Sequence, residues 1–246
     1  MTPTPVGMRC PECSRQRTQV RTIRATSTEP QLTYAIIAIN VLVFLAQIAT
    51  GAGGFDATSG TVFRDGALYG PLVGDGDWWR IVTGGFLHGG LLHIAFNMYF
   101  VYFLGTLLEP AIGKLRFGAL YAVSLLGGSL GALLVSYDKP VVGASGAAFG
   151  LLAAGIIVMR ARGIDPMQSG LGMTLVLNLG ITFLIPGISI GGHIGGLVAG
   201  GLAALLLFEV GERRRGMHTP ALAATVALAV VIAAVCIVYS RNKLGV

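Results

Sequence analysis

The sequence is short of charge: only 11% of its 246 residues are Asp, Glu, Lys or Arg, against roughly 25% in an ordinary soluble domain. That shortage, in so apolar a chain, excludes a soluble globular enzyme and a disordered chain. Cysteine is scarce as well, and three residues cannot build a disulfide-stapled secreted scaffold. Collagen is excluded because the 37 glycines follow no G-X-Y period. What is abundant is apolar surface: 54% of residues are hydrophobic and mean hydropathy is +0.75. This is the composition of a multi-span membrane protein. Its glycine share is about twice the usual value of roughly 7%.

Seven apolar segments follow a polar start, at about residues 32–50, 86–108, 115–137, 143–159, 170–185, 191–208 and 221–239. A spanning helix needs about 20 apolar residues, with a range of roughly 17–25. The fourth and fifth segments fall at or just below the short end. The connection from 51 to 85 is the longest, is too polar to span, and holds Trp78, Trp79 and Arg80. The expected organisation is a polar basic tail at 1–30, a six-helix core at 31–210, and a linker, seventh helix and short outer tail at 211–246. The tail carries Arg9, Arg15, Arg17, Arg21 and Arg24 with no apolar run among them, so no cleavable signal peptide is expected. With the N-terminus inside, 12 of the 17 basic residues lie on the cytoplasmic side, which sets the N-terminus in and the C-terminus out. The net charge of +6 therefore reads as membrane topology, and no nucleic-acid partner is expected.

Cys10 and Cys13 form a CPEC pair in the tail. CxxC is half of a zinc knuckle, but no second Cys or His pair lies near it. It reads as a free pair or as the remnant of a longer zinc module; a complete site would need a second chain or further N-terminal residues. Cys236 lies inside an apolar run and reads as a small buried hydrophobe.

Strongly polar residues inside membrane segments are functional suspects by default. Here they fall in even-numbered segments: His88, His93 and Asn97 in the second, Ser145 in the fourth and His193 in the sixth. Even-numbered segments run from outside to inside, so depth can be counted from the inner charges. Ser145 stands about 22 Å above Arg160, His193 about 24 Å above Glu209, His93 about 24 Å and Asn97 about 18 Å above Glu109, at the helical rise. These four residues share one layer of a core roughly 30 Å thick, somewhat below its outer boundary. Singly, each has a plain explanation. A lone membrane serine commonly bonds the i−4 carbonyl, a lone histidine commonly joins two helices, and His93 and Asn97 at i and i+4 could be packing glue. His88, nearer the outer surface, could cap or anchor its helix. Their convergence on one layer points to a site.

Ser145 lies in Gly143-Ala144-Ser145-Gly146 after Pro140. Small neighbours leave its hydroxyl open, and a helix start offers unpaired N–H groups to an oxyanion. Serine needs a base, and His193 is the candidate. No Asp or Glu lies in the outer half of any segment, so the arrangement would be a dyad. Gly146, Gly150 and Ala154 are spaced four apart, as are Gly192, Gly196 and Gly200, with Gly191 and Gly195 in a parallel row. Such faces let membrane helices approach closely, which would bring hydroxyl and imidazole together.

These residues resemble a rhomboid intramembrane serine protease of the bacterial type, over about residues 32–210. The resemblance rests on Trp79-Arg80, His88-x4-His93-x3-Asn97, Gly143-Ala144-Ser145-Gly146 and His193-Ile194-Gly195-Gly196, in the family's order. It implies an all-α polytopic fold with a six-helix core, here with an additional C-terminal helix. It implies that Ser145 is the nucleophile and His193 the general base of a serine endopeptidase. His93 and Asn97 match the oxyanion positions, His88 a supporting histidine on the same helix, and Trp79-Arg80 a loop motif lying partly in the outer leaflet. Where the family often has a tyrosine packing on the catalytic histidine, this chain has Phe149, which can stack but offers no hydroxyl. The CPEC tail resembles the end of a zinc-finger-like extension on some bacterial members.

The resemblance implies hydrolysis of peptide bonds in or near transmembrane segments of protein substrates, with small residues at the cleavage site and no cofactor. Lateral entry past the short fifth segment is expected, with Phe183 as a gate by position. The lipid bilayer, and by expectation a bacterial plasma membrane, is the setting; oligomeric state is left open. Two rivals remain. A metal site at His88, His93 and His193 fares poorly, since i and i+5 do not share a helix face, no HExxH occurs and no carboxylate is near. A catalytically silent relative that binds transmembrane clients would keep the fold without needing the dyad.

Overall fold

The computed structural model describes residues 29–51, 57–212 and 216–245, with two short strands near the start. Strands β1 (Thr2–Thr4) and β2 (Gly7–Arg9) pair antiparallel, Thr2 opposite Arg9. Cys10 and Cys13 lie outside the described residues. The rest of the described chain is built from helices α1 (Gln31–Thr50), α2 (Thr61–Gly66), α3 (Gly70–Asp75), α4 (Arg80–Thr83), α5 (Leu91–Ile112), α6 (Lys114–Val135), α7 (Ser145–Ala161), α8 (Leu171–Leu184), α9 (Ile190–Ala204) and α10 (His218–Leu244). Helix α9 continues as a π-helical stretch, Leu205–Glu212.

The seven apolar segments appear as α1 and α5 to α10. Helices α1, α5, α6, α10 and the run Ile190–Gly211 are long and apolar enough to cross a membrane. Helices α7 and α8, at 17 and 14 residues, are shorter apolar helices, in line with the short fourth and fifth segments. Apart from the small ribbon, the fold is all-α and polytopic. The boundaries are where sequence periodicity is weakest. The second segment was expected from 86, yet Gly84–Phe86 form a 3-10 turn and Gly89 and Gly90 interrupt the chain before Leu91. His88 is therefore not on α5, as the resemblance implied, but on the turn that leads into it. The fourth segment starts two residues late, because Gly143 has φ +127° and cannot enter a right-handed helix.

The connection between α1 and α5 is a docked subdomain. Arg80 is buried to 4% exposure. Its Nε donates to Asp77 Oδ2 at 2.9 Å, and one terminal nitrogen donates to the carbonyls of Arg64 at 2.7 Å and Ala67 at 3.0 Å. One guanidinium thereby closes α2, α3 and α4 into a unit, using the planar donor fork that lysine lacks. Ser129 of α6 donates to the Ile81 carbonyl at 2.7 Å, and Leu68 forms a bridge with Val141. The subdomain is thus fixed to the strand-like segment that enters α7.

At the opposite end, Glu109 does more than mark a membrane boundary. Its carboxylate is fully buried and accepts the N–H groups of Leu32 (2.9 Å) and Thr33 (2.7 Å) and the Thr33 hydroxyl (2.7 Å). The two N–H groups are orphan donors of the α1 N-terminus. The start of α1 and the end of α5 are thereby held at the same face of the bundle, as alternating spans require.

The bundle core is closed by glycine. A β-carbon at Gly196 would lie 2.0 Å from the Gly146 carbonyl oxygen, and one at Gly200 2.3 Å from the Gly150 Cα, so α7 and α9 touch backbone to backbone. The parallel row on α9 packs on a different partner: β-carbons at Gly191 and Gly195 would meet the carbonyl oxygens of Gly131 and Gly127 of α6 at 2.1 and 2.2 Å. The spacing on α7 and α9 predicts the first contact. The role of α6 was not foreseen.

Candidate active site

Ser145 is the first residue of α7, half-buried, with Ala144 at the cap position and no side-chain cap bond. Ser145 lines a narrow cleft together with residues that include Gly84, Val142, Gly143 and Gly192. Being at the helix start, it sits among backbone N–H groups with no intrahelical partner. Gly143 is needed just before it. Besides its positive φ, a β-carbon there would lie 2.8 Å from both Cε1 and Nε2 of His93 and 3.6 Å from Ser145 Oγ. Glycine at 143 therefore lets the His93 ring edge reach the space beside the serine hydroxyl. The Gly143 N–H is bonded to the Gly84 carbonyl at 2.9 Å, which ties this space to the loop subdomain.

The tautomers of the two histidines follow from their partners. The Gly89 N–H donates to His93 Nδ1 at 3.2 Å. Nδ1 is then an acceptor, and in the neutral ring the proton sits on Nε2, the nitrogen that faces Gly143. His193 is the reverse. Its Nδ1 is 2.7 Å from Thr182 Oγ1, and that hydroxyl donates its only proton to the Asn178 carbonyl at 2.7 Å. Thr182 can therefore only accept, so Nδ1 carries the proton and Nε2 is left with a lone pair. Phe149 stacks on the His193 imidazole with centroids 4.2 Å apart and planes 19° apart, as expected of a phenyl ring at that position. Ser189 caps α9, accepting the Gly192 N–H at 3.1 Å, and so fixes the start of the helix that carries His193.

The glycine contacts bring Ser145 and His193 to the same end of the α7–α9 pair. The two side chains are not hydrogen-bonded to each other: His193 Nδ1 is engaged by Thr182, and the Ser145 hydroxyl makes no side-chain hydrogen bond among the described residues. Such pairs are commonly long without substrate and tighten when it binds. Asn97 is buried on α5 one turn beyond His93, and one of its amide N–H groups donates to the His93 carbonyl at 2.8 Å. His88 is fully buried, edge-on to the His93 ring at 5.2 Å. It is held through its backbone, because Gln47 accepts the His88 N–H at 3.0 Å and donates to its carbonyl at 3.1 Å. Trp79 is exposed on the subdomain, its indole N–H donating to the Asp65 carbonyl at 3.2 Å. Phe183 is 60% exposed on α8, so it lies on an outer face and not in the cleft. Among the described residues no cluster of three or more His, Cys, Asp or Glu could hold a metal ion.

Two residues that touch this site were not singled out from the sequence. Gln47 is an amide in an apolar helix, and that signal was available. Thr182 ends a ladder in which Thr174, Asn178 and Thr182 each bond the carbonyl four residues back; the spacing was legible, its contact with His193 was not.

The fold and the grouped serine, histidines and asparagine define a multi-pass, all-α integral membrane protein with a polar site among its helices. The Rhomboid domain matches residues 75–210 of the chain. The chain is 34% identical over 182 residues to "Rhomboid protease GluP" of Bacillus subtilis (strain 168), covering 73% of this chain and 35% of that protein. It is 41% identical over 147 residues to "RHOMBOID-like protein 5" of Arabidopsis thaliana, covering 57% and 47%. It is 32% identical over 188 residues to "Rhomboid-like protease 1" of Toxoplasma gondii, covering 72% and 64%. The chain belongs to the rhomboid family. It spans about a third to two-thirds of the length of these relatives.

Proposed function

We propose that the protein is an intramembrane serine endopeptidase acting through Ser145 and His193. The observation that carries this reading is the contrasting partners of the two Nδ1 atoms, a backbone N–H at His93 and a hydroxyl already bonded to a carbonyl at His193, from which opposite tautomers are assigned. His193 offers a lone pair at Nε2, as a general base must. His93 offers an N–H at Nε2 beside Ser145, as an oxyanion donor must. In the proposed reaction Ser145 Oγ attacks the carbonyl carbon of a peptide bond and its proton passes to His193 Nε2. The oxyanion accepts from His93 Nε2–H and the Ser145 backbone N–H, with Asn97 as the further donor on that face. Collapse breaks the C–N bond, and the amine leaves with the proton from His193. Water then attacks the acyl ester, again giving its proton to Nε2, and releases the acid and Ser145. Phe149 and the Ser189 cap support the base by holding its ring and its helix. The buried His88 supports His93, while Trp79 and Arg80 belong to the subdomain braced against the segment entering α7.

The substrates proposed are transmembrane segments with small residues at the scissile bond, entering past α8 with Phe183 at the gate. The orientation proposed is N-terminus inside and C-terminus outside, in a bacterial plasma membrane. The test is cleavage of a model transmembrane substrate by the purified protein in detergent. Wild type is expected to cleave it, with or without a chelator, and His193→Ala is expected to be inactive. Loss of activity on chelation would favour a metal-dependent reading. Binding of the substrate without cleavage by wild type would favour a silent client-binding relative.

A further inference from the structure

Helix α8 is peripheral, and its contact with the rest of the bundle is uneven. Its buried residues are Leu171 and Gly172 at the start and Thr182 near the end. Between and beyond them the outer residues are open: Val176, Leu177, Ile181, Phe183 and Leu184 are all exposed. Thr182, by contrast, is 1% exposed. In the outer half of α8 Thr182 is the one fully buried residue, beside the half-buried Asn178, Leu179 and Gly180, and its hydroxyl is hydrogen-bonded to His193.

We infer that Thr182, carried on α8, is the positioning residue of the catalytic base, in the place a carboxylate takes in a triad. The inference rests on the serine protease reading above. The chemistry is specific. The Asn178 carbonyl takes the hydroxyl proton of Thr182, which leaves Oγ1 as an acceptor facing Nδ1–H of His193. This arrangement disfavours the tautomer in which Nε2 is protonated and cannot take a proton from serine. It also selects between the two ring orientations related by a 180° flip about Cβ–Cγ, which stacking on Phe149 leaves open. A neutral hydroxyl gives the developing imidazolium an oriented lone pair at Nδ1 without placing a full charge in the membrane.

The test compares Thr182→Val, which keeps the shape and removes the hydroxyl, with Thr182→Ser, which keeps the hydroxyl. The readouts are kcat and KM on a model transmembrane substrate, the rate of labelling by a fluorophosphonate, and thermal stability in detergent. Thr182→Val is expected to lower kcat and the labelling rate by about tenfold or more, a part of the roughly 10²–10⁴ that general-base catalysis supplies. KM is expected to stay within about twofold, as for a loss felt only in the transition state. Thr182→Ser is expected to recover most of the rate. Wild-type kcat in Thr182→Val, or a Thr182→Ser variant as impaired as Thr182→Val, would overturn the positioning role. A fall in kcat matched by equal loss of folded protein would overturn it as well, since that is what a purely structural threonine gives. Those results leave labelling of wild type at Ser145 intact. Absence of that labelling would instead overturn the serine protease reading and this inference with it.

Discussion

Ser145→Ala is expected to reduce cleavage of a transmembrane substrate by about four orders of magnitude or more, the scale seen when a nucleophile that works as a unit with its base is removed. The expectation is sharp because little else should change. The Ser145 hydroxyl makes no side-chain hydrogen bond among the described residues, and the residue begins a helix without capping it. Thermal stability in detergent should therefore stay near that of wild type. By comparison, His93→Ala removes one donor to an oxyanion, for which a loss of about 10²–10³ is typical. A Ser145→Ala protein that is stable and inactive, beside a His93→Ala protein that is stable and slow, is the pattern expected. A Ser145→Ala protein that still cleaves would remove the nucleophile assignment.

Gly196→Ala is expected to be nearly as damaging by a different route. The added methyl carbon would lie 2.0 Å from the carbonyl oxygen of Gly146, with the carbonyl carbon and Cα at 2.6 and 2.8 Å. All three atoms are backbone, so no rotamer change relieves the clash, and α7 and α9 must separate by more than an ångström. Overpacking of this kind costs about 1–3 kcal/mol and occasionally more. The shift falls on the residue next to Ser145 and on the helix that carries His193, so activity should be lost beyond the loss of stability. Gly201→Ala is the matched control. It lies on the same helix, and the nearest atom to its β-carbon is the Ala153 Cβ at 3.8 Å, an ordinary contact. That variant should be folded and active. Equal effects of the two substitutions on melting temperature and cleavage rate would show that helix propensity matters here and close approach does not.

Much of this was legible in the sequence, for physical reasons. Apolar runs of membrane length are hard to misread, and Ser145, His93 and His193 stood out because polar side chains in hydrocarbon are rare. Counting residues along the even-numbered segments leads to the expectation that they share one layer, and a β-carbon at Gly143 would meet both the His93 ring and Ser145 Oγ. The four-residue glycine spacing on α7 and α9 predicts a face that the structure uses. The misreadings lie where a pattern of period 3.6 carries no information. His88 was read onto a helix because the apolar run includes it, but paired glycines and a 3-10 turn end the helix at Leu91. Glu109 marks the end of its segment as expected, and the sequence carries no sign that its side chain also reaches across to cap α1, a contact over 76 residues of sequence. Arg80 and Thr182 show the same limit. Their partners lie on other turns and other helices, and only the packed bundle brings a threonine hydroxyl to the nitrogen of the imidazole that must not be free.

The central claim is that Ser145 is a nucleophile activated by His193, and the most direct measurement is the site of covalent attachment. The protein in detergent is treated with a fluorophosphonate and the modified peptide is mapped by mass spectrometry. A single adduct on Ser145, missing in Ser145→Ala and strongly slowed in His193→Ala, is the predicted result. An adduct on another residue, or labelling at Ser145 that is undiminished in His193→Ala, would contradict it.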